Sequence, residues 1–266
     1  LDLLLILVIP LGVLGAAIAT LIAQAVSAVL VTVTLMYRTE GMKLCLSQIR
    51  MYKRMLQSIL KIGLPAGFEA IMYSISNIIV QVSINNFGVD TMAAWTAYSK
   101  IDFIFWMINS AFGISVMTFV GQNYGAGKWD RIRRGTKICL GMALISAVSV
   151  SIILMSAERF LFGIFVNDAG VVEIGIRMMN VIAPAYLLFA FIEVFSGALR
   201  AQGAVVVSTL ITMVGICVLR MIWVTLVAAH GTLEQVIICY PITWAAGALA
   251  MSIYYIYKQR KILQAG

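Results

Sequence analysis

Charge is what this chain has least of. Asp, Glu, Lys and Arg make up 11% of its 266 residues, less than half of the ~25% usual in a soluble domain, while 62% are hydrophobic. Mean hydropathy is +1.00. So few polar side chains cannot cover a water-soluble globule of this length, which excludes a cytosolic enzyme, a disordered chain and a nucleic-acid-binding module. Histidine is nearly absent. His230 stands alone, with no Cys or carboxylate at ligand spacing, so no metal site is expected, and it reads as a surface polar residue at a helix end. Cys45, Cys139, Cys217 and Cys239 are far apart, with three of them inside apolar runs. They read as small buried hydrophobes and not as a disulfide framework. A basic leader is missing too: Leu1 opens inside an apolar run, so no signal peptide is read, and the expectation is a chain that begins within a longer protein. Catalytic motifs fail as well. There is no G-x-S-x-G, and the glycine-rich 121–128 stretch has Gln122 and Trp129 where a phosphate loop needs Gly and Ser/Thr. Neither an enzyme nor a cofactor is expected.

What the chain does have is long apolar runs. A membrane-crossing helix needs ~20 predominantly apolar residues, and seven runs qualify: 11–37, 59–86, 92–119, 136–157, 174–199, 205–229 and 234–257. An eighth, 1–9, is a stub that stops at Pro10. Continuous runs exclude a membrane β-barrel, whose segments are short and alternating. The reading is an all-α polytopic membrane protein, a helical bundle with six of its helices in three tight pairs and membrane lipid around it.

The net charge of +8 is accounted for by position. Basic residues cluster in the 38–58 connector, in the 121–137 connector, at Arg200 and at Lys258, Arg260 and Lys261. These are alternate connectors, which the positive-inside rule assigns to the cytoplasm. The C-terminus is therefore expected inside, in a multi-pass plasma-membrane protein. The opposite connectors hold Asp90, Glu158, Asp168, Glu173 and Glu234. The 38–58 link is basic and amphipathic, with Leu44, Leu46, Ile49, Tyr52 and Met55 between its cations. It reads either as a helix lying on the membrane surface or as a plain solvated linker.

Five charges fall within the apolar runs: Glu69, Lys100, Asp102, Glu193 and Arg220. A charge at bilayer depth costs from ~2.5 to more than 10 kcal/mol, so it normally faces a cavity or a partner and marks an ion or substrate path. Glu69 begins a stripe at four-residue steps through Tyr73, Asn77, Gln81 and Asn85, one slowly winding helix face. Trp95, Tyr98, Asp102, Phe105 and Asn109 form a second face at steps of three and four. The aromatic residues there read equally as lipid-facing or as core packing. Lys100 lies two residues from Asp102, too close in sequence for the two to meet on one helix face. Arg220, deep in its run, calls for a counter-charge. Pro184 breaks a helix that then presents Glu193, Gly197 and Arg200 on one face. For any single charge the alternative is a structural interhelical ion pair.

Several stretches together carry a family resemblance. They are Val120-Gly-Gln-Asn-Tyr-Gly-Ala-Gly-Lys-Trp-Asp-Arg131, Gly63-Leu-Pro-Ala-Gly67, the Asn85-Asn-Phe-Gly88 turn, Lys100-Ile-Asp102, Leu199-Arg-Ala-Gln-Gly203 and Cys217-Val-Leu-Arg220. In this order they resemble the multidrug and toxic compound extrusion (MATE) family, with Ala201 where that family usually has Gly. The resemblance implies a twelve-helix transporter of two lobes. Residues 1–37 would then be the end of the first lobe, 38–58 the inter-lobe linker and 59–266 the second six-helix lobe, with the N-terminal lobe missing as a partner. It further implies efflux of drugs or amphipathic organic cations driven by Na⁺ or H⁺ entry, by alternating access. On that basis Glu69, Asp102 and Glu193 are the candidates for cation coupling or substrate binding. Tyr73, Asn77, Gln81, Trp95 and Tyr98 are the candidate cavity wall, since carboxylates beside π faces suit organic cations. Lys100 and Arg220 are the basic partners. A lipid-linked oligosaccharide flippase of the same superfamily is the nearer alternative and would favour a more basic cavity. A non-transporting membrane module is the more distant one.

Overall fold

The computed structural model describes residues 1–37, 44–45, 50–227 and 231–265. His230, most of the 38–49 connector with Leu46 and Ile49, and the end of the 205–229 run lie outside the described residues. Seven helices are long and apolar enough to cross a membrane: Gly12–Tyr37, Lys53–Asn85, Val89–Gly125, Trp129–Ser156, Ala169–Ala201, Val205–Val227 and Leu233–Ile262. No strand occurs among the described residues. The chain divides into two units, Leu1–Gln57 and Ser58–Gly266.

In the first unit a π-helical turn at Leu4–Val8 precedes α1 (Gly12–Tyr37). Gly15 lets the two approach, because a Cβ there would lie 2.7 Å from the Leu5 carbonyl oxygen. The apolar side chains of α1, such as Val13, Leu21 and Val29, are exposed within this chain. Such a surface is stable only against lipid or another apolar partner.

The second unit holds most of α2 (Lys53–Asn85), then α3 (Val89–Gly125), α4 (Trp129–Ser156), the short α5 (Glu158–Phe165), α6 (Ala169–Ile182) and α7 (Tyr186–Ala201). The seventh span is built in pieces: α8 (Val205–Thr212), α9 (Leu219–Ile222) and π-helical turns at Met213–Val218 and Trp223–Val227. It is followed by α10 (Leu233–Ile237) and α11 (Cys239–Ala265). Local chemistry sets the breaks. Pro184 lies in a 3₁₀ turn, Ala183–Ala185, between α6 and α7, as expected where proline removes one backbone donor. Ser151 Oγ on α4 donates to the Ala183 carbonyl at 2.6 Å, anchoring that break. Asp168 caps α6, accepting from the amides of Gly170 and Val171 at 2.7 and 3.1 Å.

The glycine-rich motif read from sequence is a helix stop. Gly127 adopts φ +67°, and the Lys128 amide reaches back to the Asn123 carbonyl at 2.9 Å, the pattern in which a left-handed glycine satisfies the last free carbonyls. Gly203, at φ +79°, ends α7 identically, with Ala204 N donating to Leu199 O at 2.9 Å.

α7 is the centre of this unit and packs against α3, α4 and α11. From Ile192 to Leu199 every residue but Glu193 is buried. The expected close pairing of 59–86 with 92–119 is corrected here. The main neighbours of α3 are α7, α4 and α6, and α2 joins the core through the buried Val80 and Ile84 and through polar side chains. Its polar stripe leaves few apolar residues with which to pack closely.

Candidate functional site

A cavity of about 560 Å³ opens between α2, α3, the span containing Arg220, and α11. α2 lines it with Tyr73, Asn77 and Gln81, one turn apart on a single face, and α3 lines it with Trp95, Tyr98 and Asp102. The two polar stripes read from the sequence therefore meet. Arg220 lines the same cavity.

Asp102 is held by aromatic donors. Tyr186 donates its hydroxyl hydrogen to Oδ1, and Trp106 Nε1 donates to Oδ2 at 2.6 Å. The Tyr98 and Tyr186 hydroxyls are 3.2 Å apart, and Tyr186 stacks on Phe105 at 3.8 Å between ring centroids. Tyr98 and Phe105 are thus core residues, 2% and 1% exposed, not lipid-facing ones. A carboxylate accepts about four hydrogen bonds, so the two made here fix its position and leave acceptor capacity for a cation.

Arg220 differs from expectation. It is 1% exposed, yet among the described residues no carboxylate lies within the 4.0 Å of an ion pair. Its Nη1 donates to Asn77 Oδ1 at 3.1 Å, and its guanidinium carbon lies 4.2 Å from the Tyr240 ring centroid and 5.9 Å from that of Tyr73. A carboxamide oxygen and two π faces stand in for the counter-charge. Nε and Nη2 of Arg220 are buried without a hydrogen-bond partner, as are Tyr73 Oη and Trp244 Nε1 on the same cavity wall. Each unpaired buried donor costs about 1–3 kcal/mol. The π-helical turns on either side of Arg220 are a kind of irregularity that clusters at functional positions.

Glu69 and Glu193 do not line this cavity. Glu69 accepts from Arg200 Nη2 at 2.6 and 2.8 Å and from Thr209 Oγ1 at 3.0 Å, which makes it an interhelical ion pair between α2 and α7. Glu193 is half-buried against Gly113 of α3, where a Cβ would collide with its carboxylate. It makes no hydrogen bond or ion pair among the described residues. Lys100 is exposed and likewise makes no ion pair among them, so it is not a partner to the acids as expected. Gln81 Nε2 donates to Asn85 Oδ1 at 2.8 Å.

Four residues of this neighbourhood escaped the sequence reading: Trp106, Tyr186, Tyr240 and Trp244. Trp106 was within reach, four residues after Asp102 and on its face. The other three come from segments far along the chain, and nothing local marks them. Among the described residues no three His, Cys, Asp or Glu side chains cluster closely enough to hold a metal ion.

Comparison with known proteins agrees with this architecture. The chain is 25% identical over 260 residues to "Probable multidrug resistance protein YoeA" of Bacillus subtilis, covering 95% of this chain and 56% of that protein. It is 24% identical over 242 residues to "Multidrug export protein MepA" of Staphylococcus saprophyticus, covering 86% and 53%. It thus spans about half the length of the curated relatives it matches. An outward-facing multidrug resistance MATE family transporter of the MOP superfamily superposes with a TM-score of 0.89 at 18% identity, over 99% of this chain and 60% of that one. A MOP superfamily transporter from Pyrococcus furiosus gives 0.88 at 18%, over 98% and 59%. At such identity the likeness shows the fold. The MatE family model matches residues 65–226, well over half of the chain, and this polytopic all-α membrane protein belongs to the MatE family.

Proposed function

We propose that this chain forms part of a secondary active exporter of drugs or amphipathic organic cations in the plasma membrane, coupled to Na⁺ or H⁺ entry and working by alternating access. The observation that carries the reading is Asp102, a carboxylate fixed by Tyr186 and Trp106 on the wall of an aromatic cavity of about 560 Å³. That volume falls in the range of drug-sized ligand sites, and a carboxylate beside π faces attracts an organic cation. The multidrug resistance and multidrug export names of the relatives support the same reading. Residues 1–37 belong to the first lobe of the whole transporter, 38–58 to the linker and 59–266 to the second lobe. Glu193, without a partner among the described residues, is the second-lobe carboxylate best able to take the coupling ion. Glu69 can do so only by releasing Arg200.

Arg220 is the single observation that favours the oligosaccharide flippase, and the cavity volume weighs against so large a substrate. Ethidium efflux from cells expressing the intact protein tests the reading. Asp102→Asn should lower efflux at least about tenfold at equal membrane abundance, the factor set by losing a charged contact of ~1.4 kcal/mol. Unchanged efflux with unchanged ion dependence would remove Asp102 from the substrate path.

A further inference from the structure

The cation reading above uses only one of the two charges on the cavity wall. Arg220 is buried by this chain alone, and its charge is not spent on a carboxylate. One of its nitrogens is fixed by Asn77, and two others have no partner. Tyr73 Oη and Trp244 Nε1 lack partners as well, so one side of the cavity gathers hydrogen-bond donors around a positive charge. An acceptor that is also anionic satisfies both, and a guanidinium suits a carboxylate in particular because its fork matches two oxygens. Asp102, on the same cavity, lies outside ion-pair distance of Arg220, so neither charge neutralises the other.

We propose that Arg220 recognises an anionic group on the transported molecule, making the preferred substrates amphipathic zwitterions. Their cationic, aromatic part lies against Asp102 and their carboxylate against the Arg220 guanidinium. This rests on the export reading and narrows its substrate class. Asn77 and Tyr240 act as positioning residues that keep the guanidinium on the cavity wall.

Two dyes that differ by one ester provide the test: rhodamine 110, with a free carboxylate, and rhodamine 123, its methyl ester. Binding to the intact purified protein is read by fluorescence polarisation. The wild type should hold rhodamine 110 about tenfold tighter, the worth of one charged hydrogen-bonded contact. Arg220→Gln should erase that preference by weakening rhodamine 110 alone, leaving rhodamine 123 within about twofold. Arg220→Lys, which keeps the charge without the fork, should retain part of it. Equal weakening of both dyes by Arg220→Gln would show a structural role and overturn the proposal. So would a wild type indifferent to the carboxylate, a result that needs no variant to fold. If that indifference came with rhodamine 123 binding that still falls in Asp102→Asn, the zwitterion proposal would fail while the cation reading stood. Failure to bind either dye would overturn both.

Discussion

Three acids within one apolar bundle meet the cost of a buried charge in three ways. Asp102 is surrounded by aromatic donors and faces a cavity, Glu69 is neutralised by Arg200, and Glu193 rests half-buried against a glycine. The environment, not the residue type, separates them. Glu69 and Arg200 hold side-chain exposures of 13% and 29%, too low for solvent to screen the pair fully. Glu69→Met alone should therefore destabilise the protein by about 1–3 kcal/mol, between the values for exposed and buried pairs. Adding Arg200→Met should recover part of the loss, because the unpaired cation is removed too. Tryptophan-monitored thermal unfolding in detergent reads the cycle, and additive losses would deny the coupling.

Between elements, the tightest approach is that of α3 to α7. A Cβ on Gly197 would lie 2.8 Å from the Gly113 carbonyl oxygen and 2.9 Å from Val116 Cγ1, and a backbone oxygen cannot swing away. Gly197→Ala should push the helices apart and lower stability by about 1–3 kcal/mol, the usual cost of overpacking. Gly141 in α4 has nothing within 4 Å of such a Cβ, so Gly141→Ala should leave the unfolding temperature unchanged or slightly higher. Equal effects at the two sites would mean that helix propensity and not interhelix spacing governs. Because the approach also brings Glu193 against Gly113, close packing and the setting of a candidate coupling residue are one feature. The elements themselves were legible in the sequence to within a few residues at most ends, as with 205–229 against Val205–Val227. The runs 92–119 and 136–157 extend further, to Val89–Gly125 and Trp129–Ser156, because helices continue through polar ends that a search for apolar residues cuts short. Neighbour choice was not legible: adjacency in sequence suggested α2 beside α3, whereas the small residues of α3 select α7.

Across the whole molecule, the basic connectors predict a cytoplasmic C-terminus. A fluorescent-protein fusion after Gly266 in the intact protein should fluoresce, and an alkaline phosphatase fusion at the same place should be inactive. The reverse pair of results would invert the topology and the direction assigned to transport. The low charge and long apolar runs by themselves determined that this is a polytopic helical membrane protein, because a bilayer allows little else to a chain with so few polar groups. They also put Asp102, Tyr98 and Trp95 on one helix face and Tyr73, Asn77 and Gln81 on another, since periodicity is local. Only the tertiary structure decided which charges share a cavity. It drew Arg220 in beside Asp102 and took Glu69 out into a pair with Arg200, a residue 131 positions away. Such pairings depend on how distant helices pack, and no spacing along one helix carries that information.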